Sequence, residues 1–380
     1  MTASKLWLVV PAALVAMVVA LILIWRPLDR LSASSPPVEN AAIESTRLTP
    51  GMISLVLRTD GSVPVVVAQV QVDGGYREFT ASPNLPSAWL GRTRIDIPYP
   101  WIEGEAHRIA LITQTGMVIE HKIEVAQLTP QLAVGTLSLL ALVGLLLGIV
   151  PVATGLLTWP AMRSISPAGM NFLLALTVGL LAFLLIDTIG EGLVAAGKTI
   201  ERLNGVALFW VILALTTIIL LALGRRHGTA PEGLKLAFFI ALGIGLHNLG
   251  EGLAVGAALA TGAAALATFL VVGFTIHNVT EGIGIAAPLA RERPTFAHFA
   301  GLAALAGLPA VAGTIIGTQA VSPLWTAICF AIGAGAILQV IIEVGALILR
   351  RTGPSSFLSP SVASGVVSGL AVMYASALLV

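Results

Sequence analysis

Two seven-residue stretches, thirty positions apart, share one polar frame: Leu246-His247-Asn248-Leu249-Gly250-Glu251-Gly252 and Ile276-His277-Asn278-Val279-Thr280-Glu281-Gly282. On a helix, His and Glu at i and i+4 lie on one face, and Asn three residues before the Glu shares it. Each stretch therefore offers an imidazole, an amide and a carboxylate to a single point. Such a set, with no thiolate, suits zinc, iron(II), manganese, cobalt or cadmium, whereas copper(I) calls for softer ligands. One histidine in an apolar helix is commonly a packing residue. Two copies of His-Asn-x-x-Glu-Gly on neighbouring helices point to a metal, with His247, Asn248, Glu251, His277, Asn278 and Glu281 as its ligands. The flanking Gly243, Gly245, Gly252, Gly256, Gly273 and Gly282 are expected to bring the two motif helices close together.

Other polar residues stand in apolar surroundings. Asp187 and Glu191 form one i, i+4 pair, and Gln339 and Glu343 another. A charged group at the centre of a membrane helix costs about 2.5 to 3.5 kcal/mol on insertion, so five such carboxylates would cost on the order of 10 to 15 kcal/mol if unpaired. Interhelical hydrogen bonds, at about 0.6 kcal/mol each, do not offset that. A functional role is the economical reading, and Asp187, Glu191, Gln339 and Glu343 are accessory candidates: groups behind the ligands, proton acceptors or ligands at the entrance. His227 and His298 sit beside arginines and read as solvated, while His107 and His121 carry no spacing signal.

The elements that must position these residues are membrane helices. Of 380 residues, 57% are hydrophobic and 10% charged, against roughly 25% charged in a soluble protein. Residues 1 to 130 hold 21 of the 39 charges, leaving the last 250 residues with 18. Eight apolar runs follow, at about 132 to 158, 170 to 197, 204 to 223, 235 to 260, 263 to 289, 297 to 320, 325 to 349 and 360 to 380. Their connections place Arg163, Arg225, Arg226, Lys235, Arg291, Arg293, Arg350 and Arg351 on one side, against Lys198 and Arg202 on the other. By the positive-inside rule the first side is cytoplasmic, so the C-terminus lies outside. With a net charge of +1 and neither half strongly basic, the electrostatic footprint of a nucleic-acid binder is missing. The single cysteine, Cys329, excludes an intrachain disulfide.

An earlier apolar run, Trp7 to Trp25, is long enough to span the bilayer and, with no clear cleavage site after it, reads as an uncleaved anchor in a segment 1 to 29. Residues 30 to 49, rich in Ser, Pro, Ala and Glu, read as a linker. Between 50 and 128, alternating apolar stretches at 53–57, 65–72, 94–97, 109–112 and 118–125 are broken by Asp60-Gly61, Asp73-Gly74-Gly75, Glu103-Gly104 and Thr115-Gly116. That pattern predicts an extracytoplasmic, immunoglobulin-like β-sandwich. The fold class expected is an all-α polytopic membrane protein, residues 129 to 380, carrying this small all-β domain.

The sequence resembles the ZIP family of divalent-metal transporters. The family's mark is His-Asn-x-Pro-Glu-Gly on its fourth membrane helix with a relative on the fifth, matched here by His247, Asn248, Glu251, Gly252 and His277, Asn278, Glu281, Gly282. The resemblance covers residues 132 to 380. It implies an eight-helix bundle, transport toward the cytoplasm, and Glu251 and Glu281 bridging two adjacent metal positions. Two departures stand out. The motif proline is replaced by Gly250 and Thr280, and the sixth run, around Pro309 and Ala310, lacks a carboxylate that many members carry. One tight ion is therefore expected, held by His247, Glu251, His277 and Glu281, with any second ion weaker and dependent on Glu343 or the acids of the second run.

The expected activity is non-enzymatic: transport of Zn(2+), or another divalent cation, with no organic cofactor. The expected partners are divalent metal ions and the lipid bilayer, with a homodimer as a compatible assembly. Two other classes compete: an intramembrane metal-dependent hydrolase, which would want His-Glu-x-x-His, and a membrane metal sensor signalling through the β-domain.

Overall fold

The computed structural model describes residues 39–378 apart from 62, 84–90, 132, 201–202, 227, 229–230, 261–263, 320–321 and 354–358, together with five positions between 14 and 21. The expected anchor, save for those five positions, residues 30–38 of the expected linker, and His227 lie outside the described residues.

The N-terminal unit is built from β1 (Ala41–Thr49), β2 (Met52–Thr59), β3 (Val67–Val72), β4 (Gly75–Arg77), β5 (Thr80–Ser82), β6 (Arg92–Pro98), β7 (His107–Thr113) and β8 (Val118–Ile123). They form two four-stranded sheets in the orders β1-β2-β6-β5 and β4-β3-β7-β8. Every pairing is antiparallel, with Leu55 opposite Ile95 in one sheet and Val70 opposite Leu111 in the other. Alternate residues point inward, so Ile53, Leu55, Leu57, Ile95 and Ile97 meet Val70, Val72, Ile109 and Leu111 in one core. Each such side chain contributes roughly 1.5 to 3 kcal/mol when fully buried.

Strand β1 corrects the expected linker. Its nine residues bury only Leu48, and a register shift between Ile43 and Ser45 interrupts their alternation, so the period of two is hidden. The other boundary moves as well. The Thr129 N–H donates to the Leu48 carbonyl at 3.0 Å, and the Leu48 N–H donates to Thr129 Oγ1 at 2.9 Å, which makes Thr129 part of the sheet unit.

Eight helices follow: α1 (Val134–Met162), α2 (Pro167–Gly197), α3 (Gly205–Gly224), α4 (Gly233–Ala260), α5 (Ala264–Ala286), α6 (Phe296–Gly317), α7 (Pro323–Thr352) and α8 (Pro360–Ala377). All eight are long and apolar enough to cross a bilayer, which suggests a multi-pass membrane protein. Three of them start at Ser-Pro, with the proline in the first turn, where a missing N–H costs nothing. Helix α6 starts with a capping box in which Thr295 and His298 serve each other's backbone; His298, expected to be merely solvated, is a helix cap. Helix α1 is not uniform: its turn Leu145–Ile149 is π-helical.

The glycines flanking the motifs do not join α4 to α5 as expected. A Cβ on Gly252 or Gly256 would strike the backbone of α6, one on Gly245 would strike Leu305 of α6, and one on Gly282 would strike Val152 of α1. Gly243 faces Val340 of α7. The close seams are therefore α4 with α6 and α5 with α1, and α4 meets α5 through longer polar side chains, which leaves room between them.

Candidate metal centre

That room holds the motif residues. The Oε1 atom of Glu251 lies 2.6 Å from His277 Nε2 and 3.2 Å from His247 Nε2. One ligand atom from each of these three residues falls within 4.8 Å of the others, and all three are buried. Zinc binds imidazole nitrogen and carboxylate oxygen at about 2.0 to 2.2 Å, so a cation between these atoms would replace the present nitrogen–oxygen contacts with metal bonds after a small outward shift.

Each asparagine is turned by its amide. Asn278 Nδ2 donates to the Leu147 carbonyl at 2.9 Å and to Glu251 Oε2 at 3.2 Å, while Asn248 Nδ2 donates to the Ala306 carbonyl at 3.1 Å. Both acceptors come from irregular turns. Leu147 lies in the π-helical turn of α1, and Ala306 follows Leu305, whose carbonyl loses its helical donor because Pro309 has no N–H. With both amide nitrogens engaged, each Oδ1 is left without a hydrogen-bond partner. The sixth helix, expected to matter for its missing carboxylate, contributes a backbone carbonyl instead.

Glu281 is the sharpest anomaly. It is 2% exposed, neither carboxylate oxygen has a partner in hydrogen-bond geometry, and the Asn248 side chain stands beside it. Burying an ionised carboxylate alone is expensive, and such groups are normally paired or bound to metal. Glu281 nevertheless falls outside the group formed by His247, Glu251 and His277, within electrostatic reach of Glu251.

Thr188 of α2 enters the same site unforeseen. Its Oγ1 lies 3.2 Å from His247 Nδ1. When Nδ1 carries the proton and donates to the hydroxyl, Nε2 is left as a lone pair directed at Glu251, the tautomer a metal needs. Threonine has no charge and no diagnostic spacing, so only the neighbouring Asp187-x-x-x-Glu191 pair could have drawn attention to it.

The accessory candidates separate into two groups. Asp187 and Glu191 are exposed on α2. Asp187 lies within electrostatic reach of His247, His277 and Glu251, and Glu191 within reach of Asp187 and Lys198. They form a row of carboxylates from the α2 C-terminal end to the cluster. Gln339 and Glu343 lie on α7, where Gln339 is wholly buried with neither amide atom hydrogen-bonded. One turn before Gln339, Gly335 packs against Leu213 and Thr216 of α3, and Glu343 is wholly buried with Oε1 2.9 Å from Arg225 Nε. The carboxylate expected to serve a second metal thus has the arginine that caps α3 beside one oxygen, while its Oε2 has no hydrogen-bond partner.

Toward the arginine-bearing ends of the helices, Leu181, Leu184, Ile240, Ile244, Ile285 and Val340 belong to one buried apolar core.

No family model matches the chain, and no curated protein matches it.

Proposed function

We propose that this protein is a divalent-metal transporter of the ZIP type, moving zinc, or a cation of similar coordination preference, toward the cytoplasm. The observation that carries this reading is the buried cluster His247, Glu251 and His277 beside an unpartnered Glu281. A resident ion would complete a structural site with satisfied ligands and no charged approach. Asp187, exposed on α2 and within electrostatic reach of the cluster, supports an approach of the ion from that side. The two motif carboxylates offset the dication's lost hydration, the imidazoles set its geometry, and the asparagine oxygens complete the coordination.

In this reading the arginine-rich end of the bundle is cytoplasmic and the sheet unit, of immunoglobulin type in its strand order, lies outside. The hydrolase alternative is weaker, because Glu251 faces both imidazoles and no second histidine follows either motif within its turn. Purified protein in liposomes should accumulate zinc with no peptide product. Uptake equal to that of empty vesicles across zinc, iron(II), manganese, cobalt and cadmium rejects transport. For sidedness, Gly228→Cys in a Cys329→Ala background should resist impermeant thiol reagent applied from outside; rapid labelling reverses the topology.

A further inference from the structure

The ends of α2, α4, α5 and α7 that lie away from Asp187 converge on a cavity of about 350 Å³. Its volume falls in the roughly 300 to 1,000 Å³ range of small-molecule pockets. The base is apolar, formed by side chains such as Met170 and Leu174, and the rim carries Arg291, Arg350, Arg351, Glu232 and Glu292. These charges are not all balanced within the protein. Arg350 is bonded to Glu232 at 3.0 Å. Arg351 donates Nε to the neutral Asn171 Oδ1 at 3.2 Å, an acceptor that takes its hydrogen bond without neutralising its charge. Arg291 makes no ion pair among the described residues. Glu292 stands over Gly233, at the first turn of α4, where φ is +52° and a Cβ would strike its carboxylate. That carboxylate is therefore set against the helix N-terminus, whose partial positive charge favours it.

We infer that this cavity binds a phosphate group between Arg291 and Arg351, with the Met170 and Leu174 base accommodating an attached apolar chain. Guanidinium recognises phosphate through paired N–H donors, and basic pockets between membrane helices at the cytoplasmic side suit anionic lipid headgroups. A phospholipid headgroup and free inorganic phosphate share this chemistry. The inference concerns binding alone and does not depend on the metal reading.

Full-length protein in neutral detergent is titrated with a short-chain phosphatidylglycerol, the matching phosphatidylcholine and inorganic phosphate, following thermal unfolding and counting adducts by native mass spectrometry. Phosphatidylglycerol should raise the melting temperature and give one retained adduct, and phosphatidylcholine should do neither. Arg291→Gln should weaken that binding about tenfold, the loss of one charge-assisted contact. Arg351→Lys should weaken it less, and Arg293→Gln, outside the cavity, should leave it unchanged. Since Arg291 has no ion pair to lose, its substitution should not compromise folding, and unchanged melting without lipid checks this. Stabilisation by inorganic phosphate alone, lost in Arg291→Gln, assigns the cavity to a soluble phosphate. Equal binding of both lipids, equal binding by wild type and Arg291→Gln, or no response to any probe overturns the inference.

Discussion

The sheet unit and the helical bundle treat their carboxylates in opposite ways. In the sheets, Glu44 is paired with Arg58 and Arg92, Asp96 with Arg94 and Ser54, and Glu39 accepts from Thr113 and Thr115. Asp73 accepts from the Arg108 N–H at 2.8 Å and from Tyr99 at 3.0 Å, and contacts His107 Nδ1 at 2.8 Å. In the bundle, Glu281 is buried with no partner, and Glu251 collects two imidazoles around one oxygen. One region uses its acids to hold its shape, while the other leaves Glu281 buried without a hydrogen-bond partner.

The largest test of that contrast is at the motifs. Since partners behind metal ligands are worth about 10- to 100-fold in affinity, a direct ligand is worth more. Glu251→Ala and Glu281→Ala should each lower zinc uptake by at least about 100-fold at unchanged membrane abundance. Near-normal uptake by either would dissolve the contrast, because that carboxylate would then be idle in transport. Metal-free Glu281→Gln should melt no lower than wild type, since the amide fills the same space and the carboxyl oxygens give up no hydrogen-bond partner.

Glu343 sharpens the comparison from the other side, as a bundle carboxylate with a structural partner. Arg225→Ala should destabilise the protein by about 3 kcal/mol, the lower end of what stranding a buried charge costs, because Arg225 is 41% exposed. Chemical denaturation measures this. The number of zinc ions bound should not change, and loss of a bound ion would return Glu343 to the metal site.

Thr188→Val keeps the shape and removes the hydroxyl beside His247. Zinc affinity should fall about tenfold, with little change in melting. An unchanged affinity would show that the imidazole orients itself.

Asp73 is the sheet counterpart. Burial raises its carboxyl pKa, but the Arg108 N–H, His107 and Tyr99 outweigh burial and hold it below its ordinary value. Its contribution is therefore complete above the unfolded carboxylate pKa and fades as pH falls through the lower folded one. At neutral pH, Asp73→Asn should weaken the unit by about 1 kcal/mol, discounted because the side chain is 38% exposed. Hydrogen exchange of the β3–β4 turn should show the loss at pH 7 and a smaller one near pH 3. The smallest effect should come from removing the unit: a chain starting at Gln131 should take up zinc at about the wild-type rate, and an inserted but inactive truncation would make the sheets part of the pathway.

Much of this was readable from residue types, because hydrophobic runs and repeated spacing are local signals. The eight spans lie within a few residues of their apolar runs, and the two His-Asn-x-x-Glu motifs converge as their shared frame implied. What the sequence concealed was pairwise. Gly252 and Gly282 announce a close contact but not its partner, which proved to be α6 and α1. Glu343 reads like a ligand until Arg225, 118 positions away, is seen beside it. Strand β1 hides because an edge strand with one buried residue and a bulge has no clean alternation. Thr188 is silent because a hydroxyl becomes informative only next to the imidazole it holds.

The π-helical turn of α1 has a consequence for how this chain is compared with others. Such a turn accommodates one residue more than the α-helix it interrupts, so the positions before and after it are out of phase by about 100°. Aligned without a gap to a first helix that is regular throughout, one half of α1 would be paired with the wrong face. The gap belongs between Leu145 and Ile149, the turn whose Leu147 carbonyl accepts from Asn278.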